Sequence, residues 1–171
     1  MLTLLRRLIG REAPAPVAPV RTALTHGIVR APSYDSRLVE SLKHDHQELV
    51  ALFQQIGQAF DTRRHTEIPQ QLVAFKTHLE AHLLSENVRF YNYVEYNLRD
   101  DSENLSLIRD FRREMNSIAR GVIDFVKKYQ RGLNDESSRQ SFLSDYRTVG
   151  GLLVQRIERE EGSLYPLYQP N

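Results

Sequence analysis

The sequence contains no cysteine. That removes disulfides, thiolate catalysis and cysteine-based zinc sites together, and it suits a reducing compartment, read here as the cytoplasm. No apolar run approaches the roughly 18 residues of a membrane span, so no integral membrane segment is expected. Only 8 glycines and 7 prolines occur in 171 residues, with few alternating Val/Ile/Thr runs, which argues against an all-β fold. Neither sign of charge dominates: 23 Lys and Arg against 22 Asp and Glu leave +1. A nucleic-acid binder is therefore disfavoured, and so is an acidic tail protein. No nucleophile–base–oxyanion arrangement, phosphate loop or nucleotide fingerprint stands in the chain, so an enzyme is not expected. What is present, 40% hydrophobic and 26% charged residues, suffices for the core of one helical domain.

Residues 1–34 read as an N-terminal arm. Met1 to Ile9 can form a short amphipathic segment with Arg6, Arg7 and Arg11 on its cationic side. The arginines interrupt the apolar stretch, which argues against a signal peptide. The run from Ala13 to Pro19 alternates prolines with small residues and forbids a continuous helix. The bland expectation is a mobile arm; the sharper one is a weak membrane or partner anchor.

Residues 35–171 carry helical periodicity. Apolar stripes run through Leu42, Leu49, Phe53, Ile56 and Phe60; Ile68, Leu72, Phe75, Leu79, Phe90 and Val94; Ile108, Phe111, Met115, Ile118, Val122 and Phe125; and Phe142, Tyr146, Val149, Leu153, Leu164 and Leu167. Asp35 or Ser36 is the expected cap of the first helix, Pro69 fits the first turn of the second, and Ser137 with Gln140 has the spacing of a capping box for the fourth. Four such helices joined by short polar loops predict an all-α, antiparallel up-down four-helix bundle.

Continuing each stripe through its gaps finds polar residues in apolar register. They are His46 in the first helix, His82 and Glu86 in the second, and Arg156 and Glu160 in the fourth. The third stripe is unbroken, with Met115 mid-run. Counting at ~1.5 Å per residue brings all of them to one mid-bundle height. Buried without partners, each would cost several kcal/mol. They must satisfy one another, hold a metal, or hold water. His82 and Glu86, four apart, share a helix face and can share one ion. His and carboxylate on facing helices is how bundles build iron and manganese sites.

Asp45-His46, the segment from His82 through Glu86 to Tyr91, and Glu160-Glu161-Gly162-Ser163-Leu164-Tyr165-Pro166-Leu167 stand in order on these helices. In this the chain resembles the bacterial hemerythrin-like, or HHE cation-binding, domain family over about residues 36–168. The resemblance implies that His46, His82, Glu86 and Glu160 ligate a non-heme di-iron centre, and that the protein binds or senses oxygen, nitric oxide or iron. Two positions depart from the family pattern: its third-helix Glu-His is Glu114-Met115 here, and its fourth-helix His is Arg156. A thioether is a poor ligand for iron and a guanidinium does not give up its proton to bind metal. A second resemblance, to the regulator of sigma D family of anti-sigma factors, lies in Gly150, Leu153, Arg156 and Glu160, and implies a sigma-factor partner and no iron.

Three readings of the polar layer stay open. His46, His82, Glu86 and Glu160, with His78 as a spare ligand, hold one metal. Alternatively, Arg156 replaces the metal's charge by bridging Glu86 and Glu160, with the histidines completing the hydrogen bonds. Or the layer holds waters. Charge favours the second. His44 is expected in solvent, His65 in a loop, and Gly150-Gly151 at a close helix approach or a bend. The sequence thus predicts a small, non-enzymatic, cytoplasmic sensing or regulatory protein with an altered di-iron site. The alternatives are a working iron protein, mono- or dinuclear, for oxygen or nitric oxide, and a protein antagonist acting on a sigma factor or another partner.

Overall fold

The computed structural model describes residues 31–170; the expectations for the arm before residue 31 lie outside them. The helices are α1 (Leu38–Asp61), α2 (Ile68–Ser85), α3 (Asn92–Asn97), α4 (Ser102–Tyr129) and α5 (Glu136–Arg159). A π turn, Glu86–Tyr91, joins α2 to α3, so these form one long rod, and α5 continues through a second π turn, Glu160–Leu164, into a 3-10 turn, Tyr165–Leu167. The chain is therefore the expected four rods. No helix among the described residues is long and apolar enough to cross a membrane.

The rod ends show where local rules hold and where they shift. Pro69 sits in the first turn of α2 as expected. Arg37, at the N-cap of α1, makes no side-chain cap, although Asp35 ties the preceding turn by accepting from the Arg37 N–H at 3.0 Å. The capping box of α5 is Asp135 with Ser138, two residues before the expected Ser137–Gln140 pair. Gly132, at φ 107°, turns the chain early, so the extended Asp135 is the first side chain to reach the free N–H groups. Between α1 and α2, Arg63 takes the left-handed conformation at φ 59°.

Two apolar clusters fix the up-down topology. One gathers Leu38 and Leu42 with Phe90, Tyr93, Val94, Ile108, Leu164, Tyr165 and Tyr168. The other gathers Phe53, Ile56, Ile68, Phe75, Met115, Phe125, Tyr129, Phe142 and Leu153. The start of α1 thus lies beside the end of the second rod, the start of the third and the end of the fourth, as antiparallel neighbours require. Between the clusters lie five buried polar side chains, His46, His82, Glu86, Arg156 and Glu160, none more than 3% exposed. Met115 is buried too, but its side chain belongs to the second cluster rather than to the polar layer.

Candidate metal centre

Both buried carboxylates open a π turn: Glu86 begins the one in the second rod and Glu160 the one in the fourth. A π turn adds a residue to one helical turn and rotates the residues beyond it to a new face, and such turns gather at functional sites. The first of these turns contains Phe90 and Tyr91, both buried. The second leads from Glu160 to Tyr165 in the layer, 2% exposed.

One half of the layer is organised by Arg156. Its Nη2 lies 2.6 Å from Glu86 Oε2 and 2.6 Å from Glu160 Oε1. Its Nη1 donates to the Met115 carbonyl at 2.6 Å. Arg156 and Glu160 are one turn apart on the same rod, so the guanidinium is held from its own helix and reaches across to the second rod. One guanidinium cannot fully balance two buried carboxylates. Burial first, and then the Glu160 charge, push the Glu86 carboxyl up to about 8. Burial and the charge of Glu86 likewise raise the hydroxyls of Tyr91 and Tyr165.

The other half is built on imidazoles. The His46 and His82 rings lie 4.7 Å apart, centre to centre. His46 Nδ1 is 2.8 Å from Glu161 Oε1, while its Nε2 faces Glu160 Oε2 at 3.2 Å and the Tyr165 hydroxyl at 3.2 Å. That hydroxyl donates to Glu86 Oε1 at 3.3 Å, linking the two halves. His82 Nδ1 faces Asp45 Oδ2 at 3.4 Å, and its Nε2 is buried with no hydrogen-bond partner. Burial disfavours charge on both rings, yet Glu160 and Glu161 hold the His46 pKa above its ordinary value. His82 has no such buried carboxylate; burial, then the charges of His46 and Arg156, push it down to about 3.

A model of the hemerythrin HHE cation-binding domain matches residues 37–168. The chain belongs to this family. No curated protein and no solved structure matches it. Hemerythrin domains are helical bundles that bind iron, and the layer can be tested against that cargo. Two ions side by side do not fit: Arg156 puts a fixed cation between Glu86 and Glu160, and Met115 offers the layer only a backbone carbonyl that Arg156 already occupies. One ion does fit. His46, His82 and Glu160, all buried, each offer a ligand atom within 4.8 Å of the others. Glu160 meets Arg156 and His46 at ion-pair distance while neither of its oxygens makes a directed hydrogen bond.

Of the residues expected at the hemerythrin site, the structure brings His46, His82, Glu86, Arg156 and Glu160 together and separates the rest. Glu86 turns to Arg156 and Tyr165 instead of sharing an ion with its helix neighbour His82. His78 stands outside the layer with its side chain 31% exposed, 3.1 Å from Glu48, in a partly exposed trio with Asp45 and Glu48. His44 is exposed beside Glu48, and His65 stacks on Phe60. Sequence reasoning passed over Tyr165 and the outer partners Asp45 and Glu161, although each adjoins or closes a motif that carries the resemblance.

Proposed function

We propose that the protein is a non-enzymatic sensing or regulatory hemerythrin of the bacterial cytoplasm whose di-iron centre has been replaced by a guanidinium-closed polar layer. The observation that carries this reading is Arg156, buried and held by three partners. A guanidinium stays charged at any physiological pH, so it permanently fills the place and charge of one metal. A cavity of about 370 Å³ is lined by Val94, Leu98, Leu107 and Ile108 with the amides of Asn97, Asn104 and Gln169, and a wider one of about 580 Å³ by Asp61, His65, Glu136 and Arg139. The absence of cysteine supports the cytoplasm.

The partly preserved set His46, His82 and Glu160 favours a second reading, an iron protein that binds oxygen or nitric oxide. A bound ion would supply open coordination positions for such a molecule, and Tyr165 would offer it a hydroxyl. The residues shared with the anti-sigma pattern serve the bundle here. Arg156 and Glu160 are buried, and a Cβ on Gly150 would meet Phe53 at 3.0 Å, so they would shape a partner surface only from within.

Metal analysis of full-length protein purified without chelators tests the proposal. The expected result is fewer than two irons per chain and no visible charge-transfer absorption from an iron pair. Two irons per chain with that absorption would overturn it.

A further inference from the structure

We propose that the seam between α1 and α2, outside the polar layer, carries a separate site for one divalent first-row metal ion of the zinc class, held by Asp45, Glu48 and His78. It shares no ligand with the buried layer and does not depend on what the layer holds.

The trio forms because Asp45 and Glu48 stand three apart on α1 and so share one face of that rod. His78 comes from α2, one turn before the His82 whose Nδ1 meets Asp45 Oδ2. Each of the three offers one ligand atom, and these atoms lie within 4.8 Å of one another. Donors around one ion with bonds of about 2.1 Å lie at most about 4.2 Å apart. Only a small contraction of partly exposed side chains separates the trio from a coordination shell.

Charge and hydrogen bonding both ask for a cation here. Among the described residues, neither carboxylate has a Lys or Arg at ion-pair distance: Asp45 faces His82, and Glu48 faces His44 and His78. Two acids thus stand side by side with only imidazoles against them. His78 Nε2 is shut off from water and lies 3.1 Å from Glu48 Oε2 without a directed hydrogen bond. A ring nitrogen buried in that way is costly, and a metal ion is a partner that a neutral imidazole nitrogen readily takes.

The surroundings fix the class of ion. The side chains of Asp45, Glu48 and His78 are 26%, 47% and 31% exposed, so an ion reaches them directly from solvent. One imidazole and two carboxylates, with water in the fourth position, make an open zinc shell. His44 Nε2, 3.5 Å from Glu48 Oε1, braces that carboxylate from outside. An ion here would tie α1 to α2 and abut the polar layer, since the Asp45 carboxylate that binds it also faces His82.

The test uses the full chain, stripped of metal and titrated with Zn²⁺ by calorimetry. The ion assigned here is the one lost in His78→Ala, whatever number is taken up. His78→Ala should weaken its binding at least 100-fold and Glu48→Gln at least 10-fold, and zinc should raise the melting temperature of the natural chain. Both substitutions lie at the rim, and melting without zinc checks that each variant folds. His65→Ala, which removes a histidine stacked on Phe60, should leave affinity unchanged, as should Glu161→Gln, which releases His46 in the layer. No zinc uptake by the natural chain would overturn the inference, and so would uptake that neither His78→Ala nor Glu48→Gln reduces. Zinc kept by His78→Ala and weakened by Glu161→Gln would place the ion in the layer. That result overturns this site and leaves the proposed function, which rests on the iron count, standing.

Discussion

The two halves of the polar layer share one carboxylate, Glu160, and treat it differently. On the Arg156 side its partner is a cation that cannot leave: the guanidinium is covalently part of the fourth rod and anchored to Glu86 and the Met115 carbonyl. On the histidine side its partner is His46 Nε2, which can carry a proton or give it up. One half has built its cation into the chain; the other depends on a charge that exchanges with solvent. A cation buried in the core is thus tolerated because it brings its own hydrogen bonds to the carboxylates it faces.

Breaking the fixed half should have the largest effect. Arg156→Ala leaves Glu86 and Glu160 buried with no cation between them, and removing one member of a buried ion pair costs about 3–5 kcal/mol. His82→Ala removes a ring whose inner nitrogen is unpaired, so in metal-free protein it should cost about 1–3 kcal/mol, mostly for the cavity. Chemical denaturation of both variants measures the difference. Equal costs would mean that the two halves are not distinct in kind.

The exchangeable half should show itself in the pH dependence of the metal-free protein. His82 is held near 3 against an ordinary 6.5. The folded state therefore binds fewer protons there, and stability is lost as pH falls below about 6.5. Glu86 is held near 8 against 4.5, and His46 is raised above 6.5. For these the folded state binds more protons, and stability is lost as pH rises through their folded values. Above pH 6.5 His82 no longer contributes, so stability should fall between pH 6.5 and 8, by roughly 1–2 kcal/mol when solvent relaxation is allowed for. Glu86→Gln should flatten that decline. Denaturant midpoints at a series of pH values would contradict this if stability were level or rising across the interval.

Tyr165 is the bridge between the halves, and removing its hydroxyl should be milder. Tyr165→Phe loses the contacts to His46 Nε2 and Glu86 Oε1 while keeping the ring stacked on His46. A cost of about 1 kcal/mol is expected. A loss near that of Arg156→Ala would mean that the hydroxyl, rather than the guanidinium, holds the layer together.

Much of this was legible in the chain. The apolar stripes gave the four rods, and the gaps in those stripes named all five buried polar residues, because a helix face is a strictly local pattern. Pairing was less legible. His78, one turn before His82, was expected only as a spare ligand at the border of the stripe, and one turn of height does separate a histidine beside Glu48 from one in the core. Met115 was expected in the layer as a side chain, yet its backbone carbonyl is what Arg156 uses, and a carbonyl leaves no mark in a sequence. The two π turns were invisible for a similar reason: tertiary packing of Glu86 and Glu160 selects them over the α-helix that local propensity favours.

The smallest expected effect sets the layer against the packing beneath it. Gly150 and Gly151 stand side by side in α5, and on propensity alone each should gain about 0.5–1 kcal/mol when replaced by Ala. Their surroundings differ. A Cβ on Gly151 would meet nothing within 4 Å, whereas one on Gly150 would press on Phe53 Cε1 at 3.0 Å. The Phe53 ring cannot easily yield: it is stacked 4.3 Å from Tyr146, whose hydroxyl donates to the Phe53 carbonyl at 3.0 Å. Gly151→Ala should therefore stabilise, and Gly150→Ala should be neutral or cost up to about 1 kcal/mol. Thermal melts of the two variants decide the point. If both stabilise, α1 and α5 have room to move apart at this contact, and their spacing at the polar layer is set by the His46–Glu160 and His46–Glu161 pairs instead.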